Sequence, residues 1–254
     1  MASLQQVSPT QSIGFSSMQG KHIFFDLDRT LWDFEANSRE TLFELYREKG
    51  LYQVIPNFKK FHYSYIHINN ELWKLYGRKK ITKDELRIER FRRVLNKFNQ
   101  TDEELVSFFN EEYVNRSPKK KKLFPGSIDV LAELHRSGYS LHILTNGFRE
   151  VQETKITTCG IAPYISELIC SEDVGYNKPH IELFSYALKL IGSKSRDSIM
   201  IGDDYEIDIV GALNAGMNAI LFDPDNCKRN ARDFKKVTEL SEIPAIIPFV
   251  FPIE

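Results

Sequence analysis

The sequence predicts an α/β protein, a Rossmann-like parallel sheet core with an all-helical segment inserted into it. Two observations carry this. Short, solidly apolar runs recur along the chain with helical periodicity between most of them, which is the strand-helix-strand pattern of a parallel sheet. Between Asn37 and Arg116 such runs disappear and long helical stripes replace them.

The elements follow in chain order. Residues 1–17, MASLQQVSPTQSIGFSS, lack the basic start and apolar stretch of a secretory signal and are expected to be a loose leader, with Met1 or Met18 as the natural start. The run His22-Ile23-Phe24-Phe25, ending on Asp26, predicts a strand buried on both faces. The core is expected at 18–34 and 118–254, and the helical insert at 35–117. Within the insert, Phe58, Phe61, Tyr65, Ile68, Leu72 and Leu75 alternate steps of three and four, as do Ile88, Phe91, Leu95 and Phe98. Capping-box patterns at Thr82-Lys-Asp-Glu85 and Thr101-Asp-Glu-Glu104 mark helix starts, giving about four helices in all. The outgoing linker falls near Trp32 to Glu35 and the return linker at Pro118 to Gly126. Further strands are expected at Leu141–Leu144, Leu168–Cys170, Ile199–Ile201 and Ala219–Phe222. Gly138, Gly160, Gly192 and Gly216 stand where helices close, and Pro179 where one begins.

Composition excludes several classes. With 34 Lys and Arg against 35 Asp and Glu, the chain is no nucleic-acid-coating protein or polybasic membrane binder. The basic stretches Arg78 to Lys80, Arg87 to Arg93 and Lys119 to Lys122 read as solvated faces. The stretch Ile243 to Ile253 is cut by Pro244, Pro248 and Pro252 and is too short to span a bilayer. Cys159, Cys170 and Cys227 have neither disulfide-framework nor zinc spacing, so a reducing, cytoplasmic setting is expected.

Functional groups in an open parallel sheet belong at the carboxyl ends of strands. Three runs end in reactive residues: Asp26-Leu-Asp28-Arg-Thr30, Thr145-Asn146-Gly147, and Gly202-Asp203-Asp204-Tyr-Glu-Ile-Asp208. Gly175-Tyr-Asn-Lys178-Pro179 adds a lysine. Carboxylates crowded at one edge repel each other unless a cation lies among them, and a hard Mg²⁺ with oxygen ligands suits them. Such an ion beside Lys178 and Thr145 describes a phosphoryl-transfer centre whose partner is a small phosphorylated metabolite.

In this order and spacing, the four segments resemble the haloacid dehalogenase-like hydrolase superfamily, with its Asp-x-Asp-x-Thr, Thr or Ser, Lys, and Gly-Asp with a later Asp. The helical insert is similar to that family's cap. Thr30-Leu-Trp-Asp-Phe-Glu35, Leu72-Trp-Lys-Leu-Tyr-Gly77, Thr145-Asn-Gly-Phe148 and Ser171-Glu-Asp-Val-Gly175 most resemble the bacterial noncanonical pyrimidine 5'-nucleotidases.

The resemblance implies that Asp26 is a nucleophile forming an aspartyl phosphate and Asp28 a general acid and base. It implies Mg²⁺ held by the carboxylates of Asp26 and Asp203 and the backbone carbonyl of Asp28. Thr145, Asn146 and Lys178 would bind the phosphoryl group, while Asp204 and Asp208 would act around the ion rather than on it. Among Trp32, Phe34, Trp73, Tyr76 and Phe148, most read as core or hinge packing, with Trp32 and Phe148 the candidates for substrate contact. The alternatives are a phosphatase of another metabolite such as a sugar phosphate, a sugar phosphomutase, and a catalytically silent phospholigand-binding module. A dehalogenase, which needs no second acid, is disfavoured by Asp28.

Overall fold

The computed structural model describes residues 20–227 and 234–251. The expected leader at 1–17, Met18 and Pro252 lie outside the described residues. The described residues form six strands, β1 (His22–Phe25), β2 (Ser140–Thr145), β3 (Ile165–Cys170), β4 (Ser198–Gly202), β5 (Asn218–Phe222) and β6 (Lys235–Val237). They pair in the order β3-β2-β1-β4-β5-β6, and every neighbouring pair is parallel. β6 carries no apolar run and was not among the expected strands.

The period of two sends alternate side chains to opposite faces of the sheet. Ile23, Phe25, Leu141, Ile143, Ile199 and Ile201 enter one apolar cluster, while Phe24, Leu144, Met200, Ala219 and Leu221 enter another. Both faces are therefore covered, which is why the strands read as continuous apolar runs.

Four helices follow β1: α1 (Phe34–Glu48), α2 (Phe58–Gly77), α3 (Lys83–Asn96) and α4 (Glu103–Arg116). They pack around a cluster of their own that includes Leu45, Phe61, Tyr65, Leu72, Phe91 and Phe109. The Thr82 capping box is present, Glu85 N–H donating to Thr82 Oγ1 at 3.2 Å and Thr82 N–H to Glu85 Oε2 at 2.7 Å. At the next helix the expectation shifts by one residue: Asp102, not Thr101, is the N-cap and accepts from Glu104 N–H at 2.9 Å. A carboxylate outdoes a hydroxyl at that position because it also meets the positive end of the helix. Arg90 corrects the solvated-face reading of Arg87 to Arg93, since it is buried against the Phe91 and Tyr113 rings.

The remaining helices flank the sheet. α5 (Ser127–Arg136), α6 (Arg149–Thr158) and α9 (Ile243–Val250) contribute to the first face, α7 (Ile181–Ile191) and α8 (Gly211–Asn214) to the second. α7 begins after His180 rather than at Pro179, whose peptide bond with Lys178 is cis. Gly138, Gly160, Gly192 and Gly216 all adopt positive φ. Among the described residues no helix is long and apolar enough to cross a membrane.

The linkers to and from α1–α4 lie side by side. Asp33 N–H donates to Lys122 O at 3.1 Å, Phe124 N–H to Leu31 O at 2.9 Å, and Trp32 Nε1–H to Lys120 O at 3.1 Å. Because both cross at the carboxyl end of β1, the helical layer is held above the rim where the reactive loops emerge.

Candidate active site

The register sets the site. Phe25 aligns with Ile143 on β2 and with Ile201 on β4, so the residues just past these strand ends meet at one rim. Asp26 N–H continues the ladder, donating to Ile201 O at 2.8 Å. Its carboxylate Oδ1 lies 2.6 Å from Lys178 Nζ. The same ammonium donates to Asp208 Oδ1 at 2.6 Å and to Leu144 O at 2.8 Å, matching its three protons to three acceptors. Asp26, Lys178 and Asp208 are all buried.

Asn146 fixes the lysine's backbone. Its Nδ2 donates to Lys178 O at 3.1 Å and its Oδ1 accepts from Lys178 N–H at 2.7 Å. The amide is thereby engaged with the loop through its oxygen and one of its N–H groups.

After β4 the chain enters a π-helical turn, Tyr205–Val210. Asp204 caps it, its Oδ1 accepting from the N–H groups of Glu206 and Ile207 at 3.0 Å each. Asp204 N–H in turn donates to Asp208 Oδ2 at 3.1 Å. Asp208 is thus fixed through both oxygens. One carboxylate oxygen each from Asp26, Asp203 and Asp208 lie within 4.8 Å of one another.

Burial pushes the Asp26 carboxyl well above its ordinary range; Lys178 opposes this, and Asp208 and Asp203 add to it. Burial pulls the Lys178 ammonium down, but Asp208 and Asp26 outweigh it and hold it above its ordinary value. Crowded negative charge and an all-oxygen donor set fit a hard divalent cation such as Mg²⁺.

Asp28 is placed differently. Its Oδ1 and Oδ2 lie 2.6 and 2.8 Å from Lys155 Nζ, and Oδ2 also accepts from Gln152 Nε2 at 2.8 Å. The same Gln152 amide donates to Thr145 Oγ1 at 2.9 Å, and Gly147 N–H donates to that oxygen at 3.0 Å. Gln152 and Lys155 belong to no motif and were missed in the sequence. Their only signal is polar side chains three apart on a helix face that also buries Ile156.

Arg29, directly after the second of the paired aspartates, was also missed. It takes a left-handed backbone with φ of 69° and donates to Glu35 at 2.7 Å and to Asn70 on α2 at 3.4 Å. It bears electrostatically on Asp203 and Asp28.

The aromatics pack as core and linker residues, and Trp32 and Phe148, the two candidates for substrate contact, are buried. Trp32 is fully buried under the linkers, with Lys155 Nζ 4.2 Å from its ring centroid. Phe148 is buried against Trp73 and Tyr76 of α2, with ring centroids at 5.1 and 5.4 Å, so it joins the helical layer to the sheet. Ion pairs from Lys83 to Glu150 and Glu172 reinforce that contact at 2.9 and 3.1 Å. A cavity of about 470 Å³ lies beside it, lined by Tyr76, Lys79, Lys80, Glu172 and Asn177 among others.

An oxygen-rich acidic centre with a buried lysine, at the carboxyl rim of a parallel sheet and beneath a helical layer, defines a phosphatase-type hydrolase. Residues 23–222 match the family model described as haloacid dehalogenase-like hydrolase, and the chain belongs to that family. It is 30% identical over 213 residues to pyrimidine 5'-nucleotidase PynA of Streptococcus pneumoniae, covering 84% of this chain and 87% of that one. It is 29% identical over 239 residues to glyceraldehyde 3-phosphate phosphatase of Methanothermobacter thermautotrophicus, covering 89% and 99%. Among solved structures, the magnesium-bound HAD-hydrolase YfnB of Bacillus subtilis superposes with a TM-score of 0.81 at 26% identity, covering 91% of this chain and 99% of that one.

Proposed function

We propose that the enzyme is a Mg²⁺-dependent phosphomonoesterase that works through an aspartyl phosphate on Asp26, with pyrimidine nucleoside 5'-monophosphates as its substrates. The observation that carries this reading is the Asp26 carboxylate held 2.6 Å from Lys178 within a cluster that also contains Asp203 and Asp208. The similarity to PynA supports the substrate class.

Lys178 engages Asp26 Oδ1 and leaves Oδ2 to attack phosphorus. The Oδ2–P bond forms as the P–O5' bond breaks, and Asp28 gives a proton to the departing alkoxide. A water then attacks phosphorus, the Asp26–P bond breaks, and Asp28 takes the water's proton. Thr145 Oγ1–H donates to a phosphoryl oxygen, Lys178, with its three protons engaged, supplies positive charge beside it, and Asn146 serves by holding Lys178 in place. Asp26 and Asp203, with the Asp28 carbonyl, would hold Mg²⁺, which supplies neutralising charge to the phosphoryl group. Asp208 orients Lys178 and the groups around the ion, and Asp204 shapes the turn that presents Asp208. Residues 35–117 act as a cap over the core of 18–34 and 118–254, excluding water and selecting the leaving group.

The test is phosphate release from a panel of pyrimidine and purine monophosphates, sugar phosphates and glyceraldehyde 3-phosphate, with Mg²⁺ and with chelator. Metal-dependent release that Asp26→Asn abolishes, highest for pyrimidine monophosphates, is the expected result. A preference for sugar or triose phosphates would overturn the nucleotide assignment. Equal rates for parent and Asp26→Asn would overturn the mechanism.

A further inference from the structure

Helix α6 carries a buried ammonium that no motif accounts for. Lys155 is 5% exposed, in a layer where an apolar side chain would pack without the cost of desolvating a charge. Among the described residues, the hydrogen-bond donors to the Asp28 carboxylate are Lys155 and Gln152, both on α6. The loop that carries Asp28 therefore leaves its carboxylate to be oriented by a different element. The two α6 side chains also reach further: Gln152 ties Asp28 to Thr145, and Lys155 lies over Trp32, whose indole N–H is bonded to the return linker.

We propose that Lys155 is a positioning residue for proton transfer, fixing the Asp28 carboxylate so that it serves both the leaving alkoxide and the attacking water. The inference rests on the phosphatase reading above. A carboxylate free to rotate about its side-chain torsions meets the leaving oxygen only part of the time. An ammonium touching both oxygens, with a fully buried amide on one of them, restricts it to one orientation. The link through Trp32 makes that orientation depend on the linkers that carry the helical layer.

The two chemical steps separate this role from a merely structural one. Departure of a nucleoside alkoxide needs a proton, whereas p-nitrophenolate is weakly basic and leaves without one; hydrolysis of the aspartyl phosphate is common to both substrates and needs Asp28 as base. Rapid-mixing kinetics of Lys155→Met with p-nitrophenyl phosphate should therefore show one equivalent of p-nitrophenol released at close to the parent's rate, then turnover about 30-fold slower. With uridine 5'-monophosphate the first step itself should slow by about the same factor, with KM near the parent's. Adding Lys155→Met to Asp28→Asn should cost nothing more, because nothing remains to be positioned.

Lys155→Arg keeps the charge but moves the contact, so it should show the same pattern with a smaller loss, and it carries the test if the Met variant does not fold. Burst and turnover falling together, additive effects in the double variant, or both steps unchanged would overturn the proposal. If the parent shows no Asp26-dependent phosphate release, the phosphatase reading itself has failed; if it does and Lys155→Met behaves like the parent, only the positioning role falls.

Discussion

Asp208 Oδ1 lies 2.6 Å from Lys178 Nζ, the same distance at which Asp26 Oδ1 meets that ammonium. One buried cation thus serves two buried carboxylates. Lys178→Met should remove activity and also destabilise the metal-free protein by about 3–5 kcal/mol, since both carboxylates are left without their counter-charge. Urea unfolding without metal measures this. Mg²⁺ should restore part of the lost stability to the variant, because an ion among Asp26, Asp203 and Asp208 replaces some of the missing charge. A variant that binds no Mg²⁺ and unfolds like the parent would contradict the assignment of charge to this cluster.

Asp203 and Asp204 are adjacent in sequence but should separate cleanly on mutation. Asp204 is engaged as a cap through the N–H groups of Glu206 and Ile207. Asp204→Ala should therefore cost about 1 kcal/mol of stability, with activity reduced only as far as the turn carrying Asp208 loosens. Asp203→Asn keeps the shape yet removes one of the three clustered carboxylates, so the Mg²⁺ concentration needed for half-maximal activity should rise by more than about tenfold. Magnesium titrations of the two variants, alongside their urea midpoints, check both expectations.

How much of this was legible follows from what each residue depends on. The strands ending at Asp26, Thr145 and Gly202 could be read because burial on both faces leaves continuous apolar runs, and a parallel sheet gathers its strand ends at one rim. β6 could not, because Lys235 and Lys236 lie at the sheet edge and carry no apolar pattern. Lys178 was found through its loop, but its partnership with Asp208 spans 30 residues and depends on a π-helical turn that no periodicity announces. Lys155 was invisible for the same reason: it meets Asp28 across 127 residues. For Trp32 and Phe148 nearness to motifs leaves packing and substrate contact both open, because packing between layers, which the sequence does not show, decides their exposure.

Acid stability should be limited by a histidine that takes no part in the chemistry. Burial, with His22 3.1 Å away, holds His142 neutral and lowers its pKa to about 4 from the ordinary 6.5. The unfolded chain takes up that proton near pH 6.5 while the folded chain resists it until about pH 4, so protons favour unfolding in this window. The contribution is complete above pH 6.5 and is lost as pH falls toward 4, a change of about 3 kcal/mol. Urea midpoints at about pH 7.5 and about pH 5 should diverge strongly for the parent and less for His142→Leu. Equal losses in both proteins would mean that His142 does not set the acid limit.

Phe148 offers a test of the interface between layers. Its ring is buried between the sheet and α2, and Lys83 and Arg87 of α3 approach it to 4.4 and 5.0 Å from the centroid. Truncation to Ala should cost about 3–5 kcal/mol in urea unfolding, the usual range for a buried aromatic. If the ring served mainly to stack a substrate base, the variant would instead keep the parent's stability and raise KM for nucleotides alone.

Gly202 ends β4, and the need for glycine there comes from its neighbour rather than from its backbone angles. A Cβ at this position would stand 2.3 Å from Asp208 Oδ2 and 2.4 Å from Asp208 Cγ, distances at which one group must move. Asp208 cannot yield without giving up Lys178 Nζ on one oxygen or Asp204 N–H on the other. Gly202→Ala should therefore act on the site through Asp208, loosening Lys178 from its place between the carboxylates. The expected result is a loss of kcat exceeding about tenfold with folding retained, alongside a smaller further loss when the change is made in Asp208→Asn. Additive losses in that pair would show that the methyl group disturbs the strand end by a route that does not involve Asp208.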